Sequence, residues 1–334
     1  MRAMLVATVA GFAVQAMAAE DIESCRQIVK DADRLACYDR LAGGPPKPVA
    51  DPVPAKSMDV AAAQTDRLSE RMELDQKDKL GTFLFRPYRP VYLLPFRAMS
   101  KANEFPTSPN PDNTVSQPLG LDDIEAKFQL SFKTKVWQNI AGSPADLWFG
   151  YTQQSYWQVY NKSESSPFRE TDYEPEAFVT VPVDFGKPGF KLRYVNIGFT
   201  HQSNGRTNPL SRSWNRIYAA FGMETDNLVI QVRPWYRIRE DAANDNNPDI
   251  TDYMGRGELA LLYRYGQQQF ALVGRHSLKG GDANHGGLQL EWSFPLAGYL
   301  RAHVQAFTGY GESLIDYNHR QSTIGIGVSL AEWL

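Results

Sequence analysis

From Gly81 to the C-terminus the chain is a series of short segments in which apolar and polar residues alternate. Phe128, Leu130 and Phe132 alternate with Lys127, Gln129, Ser131 and Lys133, and Leu228, Ile230 and Val232 with Val229, Gln231 and Arg233. Leu259, Leu261, Tyr263 and Tyr265 alternate with Glu258, Ala260, Leu262 and Arg264. Leu288, Leu290, Trp292 and Phe294 repeat the pattern, as do Ile324, Ile326, Val328 and Leu330. A period of two is that of a strand with one apolar and one polar face. The fold class is therefore all-β. Two architectures accept such strands: a soluble sandwich with a dry centre, or a membrane barrel with a polar interior. The barrel is favoured, because segments of about ten residues match a tilted membrane strand. Aromatic residues near segment ends (Tyr88, Tyr92, Trp137, Trp235, Tyr236 and Trp333) are expected to form interfacial girdles. The segments number about twelve, an even count as in bacterial barrels, and a chain ending on a strand lets the sheet close without an edge. The expectation is an antiparallel transmembrane β-barrel over residues 81–334. Its inward face would carry Lys127, Lys133, Arg193, Arg216, Arg233, Glu258, Arg264, Glu291 and Arg301. Mixed charges in a narrow lumen pair with one another, which argues against an open channel.

Before Gly81 the pattern changes. Residues 1–18 read as a signal peptide: Arg2, an apolar run from Ala3 to Val14, and the small-x-small site Ala16-Met17-Ala18. That run is too short to cross a bilayer, for which about 20 residues are needed, and no comparable run follows. The mean hydropathy of −0.42 agrees. Export permits a disulfide, and the only two cysteines, Cys25 and Cys37, fall within residues 19–44. On one straight helix they would lie about 18 Å apart, too far to bridge. A first helix from Ile22 to Lys30, a break near Asp31-Ala32-Asp33 and a second helix from Leu35 to Leu41 would fold them together as a stapled hairpin, stopped by Gly43-Gly44. This short helical periplasmic segment is too small for its own core and is expected to dock a periplasmic partner. Residues 45–80 read as a Pro/Ala-rich linker and a polar segment, with a charged surface helix from Ala61 to Lys79. The net charge of −3, with both signs mixed, leaves no basic patch for nucleic acid.

One region carries chemistry. His201 falls in phase with Val195, Ile197 and Phe199, and Asn215 with Ile217, Ala219 and Phe221. A histidine on the apolar face makes sense if that face meets lipid and lipid is the substrate. Ser203, two residues on, points the same way. A serine hydroxyl needs a base, and an imidazole base needs a third group to fix its tautomer, a role Asn215 on the next strand can fill. The loop between them, Asn204 to Ser213, is rich in oxygen. Gly205 permits close backbone approach, while Asn208 and Ser211 offer side-chain oxygens of the hard kind calcium prefers. Acidic ligands are sparse there, so ligands from elsewhere, or from a second chain, would help complete a cation site.

These blocks resemble the Gram-negative outer-membrane phospholipase A family. The resemblance runs from Gly81 to the C-terminus. It is strongest at Tyr151-Thr152-Gln153, at Asn161 to Glu174, at Gly198 to Arg216 and at Asn247-Pro248-Asp249-Ile250-Thr251. It implies a twelve-stranded barrel, like other even-numbered bacterial barrels. It also implies calcium-dependent hydrolysis of phospholipid and lysophospholipid acyl esters (A1/A2 and lysophospholipase activity) by an enzyme active as a homodimer. By position, His201 would be the base, Ser203 the nucleophile and Asn215 the orienting residue. Ser211 and the Arg206 carbonyl would bind Ca2+, joined by the carbonyl of Ser165 of the partner subunit. Gly205 N–H and a calcium-bound water would form the oxyanion hole. Gln153 matches a polar residue of the family's dimer interface. Asn208 stands where members often carry Asp, which puts a second, monomer-state calcium site in doubt unless Asp249 serves there. The implied location is the bacterial outer membrane with the site toward the external leaflet. The rival reading is a non-enzymatic barrel, either a pore or an anchor for the hairpin.

Overall fold

The computed structural model describes residues 22–42 and 67–333. The expected signal peptide, its Ala18/Ala19 boundary and the Pro-rich stretch lie outside the described residues. The chain divides into two compact units, Met1–Ala61 and Ala62–Leu334. In the first, helices α1 (Ile22–Arg26) and α2 (Asp31–Leu41) are joined by a Cys25–Cys37 disulfide with Cα atoms 5.6 Å apart. The break falls earlier than expected, at residues 27–30. Asp31 and Asp33 do not interrupt helix; they open α2, where carboxylates favour the exposed N–H groups of a first turn.

The second unit is a closed antiparallel barrel. Its strands are β1 (Phe85–Pro87), β2 (Val91–Met99), β3 (Ile124–Trp137), β4 (Asp146–Trp157), β5 (Phe168–Lys187), β6 (Phe190–Ser203) and β7 (Ser213–Glu224). They continue with β8 (Leu228–Ile238), β9 (Gly257–Tyr265), β10 (Gln268–His276), β11 (Gly286–Ala297), β12 (Leu300–Gly309) and β13 (Gln321–Ala331). From β3 onward each strand pairs with the next, and β13 pairs back onto β2. The short β1 and the longer β2 lie against successive stretches of β3, with Phe85 opposite Thr134 and Leu94 opposite Lys127. They share one position, so thirteen strands make the expected twelve-position barrel.

The two faces are sorted inversely to a soluble protein. Ile197 is 61% exposed and Leu130 48%, whereas Lys127 and Lys133 are fully buried. Large apolar side chains clad the outside and charges fill the lumen, which excludes the sandwich and fits a membrane barrel. Among the described residues no helix is long and apolar enough to cross a membrane. At one end the connections are long (100–123, 158–167, 204–212, 239–256, 277–285 and 310–320); at the other most shrink to turns such as 188–189, 266–267 and 298–299. Short periplasmic turns and long external loops are the rule for such barrels, so the long-loop end is external.

The lumen is closed by pairing. Near the external end, Arg97 binds Glu125 at 2.5 Å and Glu312 at 2.5 Å, and Arg169 binds Glu125 at 2.9 Å and Asp316 at 2.7 Å. Near the other end, Lys135 bridges Glu73 and Asp146, each at 2.8 Å. The expected charged surface helix over 61–79 is corrected: the helix α3 (Arg67–Met72) buries Leu68 and Met72 among the luminal aromatics, including Trp148 and Phe178. Lys133 Nζ donates to the Arg71 carbonyl at 2.8 Å, tying α3 to the wall. Residues 67–80 therefore belong to the barrel unit and not to the linker. The aromatic girdle is also corrected. Of the six residues expected in it, only Trp137 (54% exposed) and Tyr236 (67%) face outward strongly. Tyr92 stacks inside on His303, Tyr88 on Phe178, Trp235 is buried, and Trp333 Nε1 donates to Glu291 at 2.7 Å.

Candidate active site

β6 and β7 run antiparallel with His201 directly opposite Asn215 and Ser203 opposite Ser213. The register is held from the lumen side: Gln202 Oε1 accepts from Trp214 Nε1 and from Arg216 Nη2, both at 2.9 Å. With Gln202 pinned inward, the pleat turns His201 and Ser203 to the outer wall. There His201 shares the face of Ile197 and Phe199, and Asn215 that of the half-exposed Ile217. The expected phase is thus observed. His201 Nδ1 lies 2.8 Å from Asn215 Oδ1, the hydrogen bond expected of a base and its orienting residue. Among the described residues no hydrogen bond joins Ser203 to His201. An unliganded nucleophile and base are often looser than in a substrate complex.

The loop from Asn204 to Arg212 is fixed by one side chain that the sequence reading passed over. Asn204 is buried; its Nδ2 donates to Glu170 at 3.0 Å and to the Leu210 carbonyl at 2.8 Å, and its Oδ1 accepts from Arg212 N at 3.0 Å and Arg206 N at 3.3 Å. Arg206 itself reaches the Arg169 carbonyl at 2.6 Å. Gly205 has φ +63°, and an added Cβ would meet Tyr173 at 3.3 Å, so a side chain is disfavoured beside Ser203. Ser211 Oγ accepts from Asn246 Nδ2 at 2.9 Å, and Asn113 Nδ2 donates to Asn208 Oδ1 at 2.9 Å. Asp249 does not cap its turn; it accepts from the Tyr317 hydroxyl at 2.6 Å. Ser165 lies in the loop between β4 and β5, in the left-handed region at φ +61°. Among the described residues no three His, Cys, Asp or Glu side chains cluster as a metal cage. The oxygens gathered in the 204–212 loop are hydroxyl, carbonyl and amide.

Gln153 projects outward from β4 in a polar string along the wall. The Tyr151 hydroxyl donates to Gln153 Oε1 at 3.0 Å, and Gln153 Nε2 donates to Ser155 Oγ at 3.1 Å. Two other residues at the site carried no sequence signal. Asn246 anchors Ser211, and Glu240 accepts from Asn215 Nδ2 at 3.2 Å. Both sit in the loop after β8, where no periodicity constrains the phase.

A histidine, a serine and an asparagine set on the lipid-facing wall, with the lumen filled by paired charges, fit a membrane-embedded lipolytic barrel. The phospholipase A1 family model matches residues 68–330, and the chain belongs to that family. It is 40% identical over 343 residues to a putative phospholipase A1 of Neisseria meningitidis, covering 91% of this chain and 89% of the relative. Outer membrane phospholipase A from Escherichia coli superposes with a TM-score of 0.69 at 35% identity, over 81% of this chain and all (100%) of the other; a second structure of that enzyme is an Asn-to-Ala active-site mutant. The Salmonella typhi outer membrane phospholipase, solved as a dimer with bound calcium, matches with a TM-score of 0.69 at 36% identity over 82% of this chain and 100% of that one. The chain is an outer-membrane β-barrel.

Proposed function

We propose that this barrel is a calcium-dependent phospholipase that cleaves acyl esters of phospholipids and lysophospholipids at its outer wall and is active as a homodimer. The observation that carries the proposal is the His201–Asn215 hydrogen bond on the lipid-facing side of β6 and β7. Ser203 Oγ attacks the acyl carbonyl while His201 Nε2 takes the hydroxyl proton. The glycerol oxygen then leaves with that proton, and water repeats the sequence to release the fatty acid and restore Ser203. Gly205 N–H donates to the oxyanion. The Asn-to-Ala active-site mutant of the E. coli enzyme supports a catalytic asparagine.

The calcium-bound dimer of the Salmonella relative supports a cation and a second subunit. Ser211 Oγ, which among the described residues accepts one hydrogen bond, and the Arg206 carbonyl are hard oxygens suited to Ca2+. Calcium takes roughly six to eight oxygens, so one chain falls short, and the carbonyl of Ser165 of the partner subunit would add to the set. When bound, the ion would lower the cost of negative charge on the ester oxygen. The rival pore reading is weakened by the lumen, where a cavity among Gln129, Glu174 and Arg233 measures about 70 Å³. The stapled hairpin is a separate docking element in this reading, so deleting residues 19–56 leaves turnover unchanged.

The test is hydrolysis of mixed-chain phospholipid by refolded protein in detergent micelles, with and without a chelator. Chelation abolishes turnover, and a sulfonyl fluoride labels Ser203. Full-rate turnover without calcium would reject the cation's role, and unchanged activity in Ser203→Ala would reject the nucleophile.

A further inference from the structure

We infer that Glu240 is a positioning residue that selects the productive face of the Asn215 amide, and through it the tautomer of His201. The inference rests on the triad reading above and goes beyond it. An asparagine amide has two ends of nearly equal shape and opposite hydrogen-bonding sense. If Asn215 turned its NH2 toward His201, the imidazole would have to accept at Nδ1 and carry its proton on Nε2. No lone pair would then face Ser203, and the base would be lost. Nothing in the His201–Asn215 pair alone forbids that arrangement.

Glu240 does forbid it. An ionised carboxylate only accepts, so it draws Asn215 Nδ2 toward itself, at 3.2 Å, and leaves Oδ1 facing His201 Nδ1 at 2.8 Å. The backbone makes this contact local. Asn215 pairs with Ile238, the last residue of β8, and Glu240 is the second residue beyond it. The string His201, Asn215, Glu240 thus ends in a charge. A serine triad with Asp holds that charge directly on the imidazole; here it acts across a polarised amide. The groups around Glu240 are the Asn215 amide, His201, Asp245 and Arg237, and Arg237 is itself paired with Asp245 at 2.6 Å. Arg239 and Asp241 flank it along the chain. Partial burial first, and then Asp245, raise the Glu240 carboxyl above its ordinary range, against the opposing pull of Arg237, Asn215 and His201. The sign follows: above its pKa the carboxylate accepts from Asn215 and the selector works; below it the group is neutral and can itself donate, so the selection is lost. Acidification therefore removes the selection at Glu240.

The test uses the refolded full-length protein, with correct barrel formation checked by heat-modifiable migration. In Glu240→Gln, kcat falls roughly tenfold with KM unchanged, because a neutral amide can satisfy Asn215 in either orientation. The acid limb of the rate profile loses the protonation that belongs to Glu240. ¹⁵N spectra of labelled histidine show the wild-type His201 proton on Nδ1 and a mixture of tautomers in the variant. The exchanged pair Asn215→Asp with Glu240→Gln restores kcat to within about threefold of wild type, because an Asp at 215 can only accept. Unchanged kcat and tautomer in Glu240→Gln would overturn the inference, as would wild-type His201 with its proton on Nε2. If Ser203→Ala or His201→Ala kept full activity, the triad itself would fall; if both are inactive and Glu240→Gln is not impaired, only this inference does.

Discussion

The lumen and the outer wall of this barrel use polar residues for opposite ends. The lumen is crowded with charge, yet each member of its external cluster has an opposite charge within reach: Arg97, Glu125, Arg169, Asp316, Glu312 and Lys127 form one connected set. Such a set fixes strands and fills space, and its charges are neutralised where they stand. The outer wall is apolar apart from a few positions, and three of those are His201, Ser203 and Asn215. Against hydrocarbon an isolated polar side chain carries a cost that structure alone does not require. In the proposed function the polarity of His201, Ser203 and Asn215 outside serves chemistry, while the abundant polarity inside serves architecture.

The sharpest way to break this contrast is to remove one group from each region. Ser203→Ala is expected to lower kcat by about 10⁴-fold or more, as loss of a nucleophile does in serine triads, without changing unfolding in urea. Glu125→Gln should do the reverse. It leaves Arg97 and Arg169 without their shared carboxylate, at a cost of about 3–5 kcal/mol in folding stability, while the molecules that remain folded keep their turnover. Urea titration in lipid vesicles, read beside activity per folded molecule, separates the two. A luminal variant that lost activity at full stability would dissolve the distinction.

Gly205 lies where the regions meet, close to the proposed nucleophile and on a loop tied to the lumen through Asn204 and Glu170. With φ at +63° and Tyr173 at 3.3 Å from an added Cβ, Gly205→Ala meets both backbone strain and a tight contact. A left-handed residue with a side chain costs about 1–2 kcal/mol, so kcat should fall roughly tenfold as the N–H turns from the oxyanion position. Steady-state kinetics with KM unaffected is the expected outcome. A variant with wild-type kcat would take Gly205 out of the oxyanion site.

How much of this was legible in the sequence follows from periodicity. Inside strands, the phase of one known residue fixes the rest, so the lipid-facing placement of His201 followed from Ile197 and Phe199, and the pairing of His201 with Asn215 from two strands joined by one loop. Where period two ends, the reading fails. Leu68 and Met72 lie in a short charged stretch that resembles a surface helix, and only the luminal cavity explains their burial. Tyr92 and Trp235 sit near strand ends, as girdle residues would, but their phase points inward. Asn246 and Glu240 reach the site from a loop whose path is set by Arg237, Asp245 and the fold around them, none of which spacing encodes.

Gln153 tests the contrast at its weakest point, because it is a polar residue on the outer wall with no part in the chemistry. Its amide is already satisfied within one chain by Tyr151 and Ser155. Pairing with its twofold mate would exchange those bonds for others and gain little, since side-chain hydrogen bonds in membranes average well under 2 kcal/mol. Gln153→Leu is therefore expected to weaken the dimer by about 1 kcal/mol, roughly fivefold in dissociation constant, with turnover per dimer unchanged. Sedimentation in detergent measures the first quantity, and activity at saturating protein concentration the second. Unchanged dimer affinity would show that this residue belongs to the wall's packing alone, and that polarity on the outer face is not by itself a mark of function.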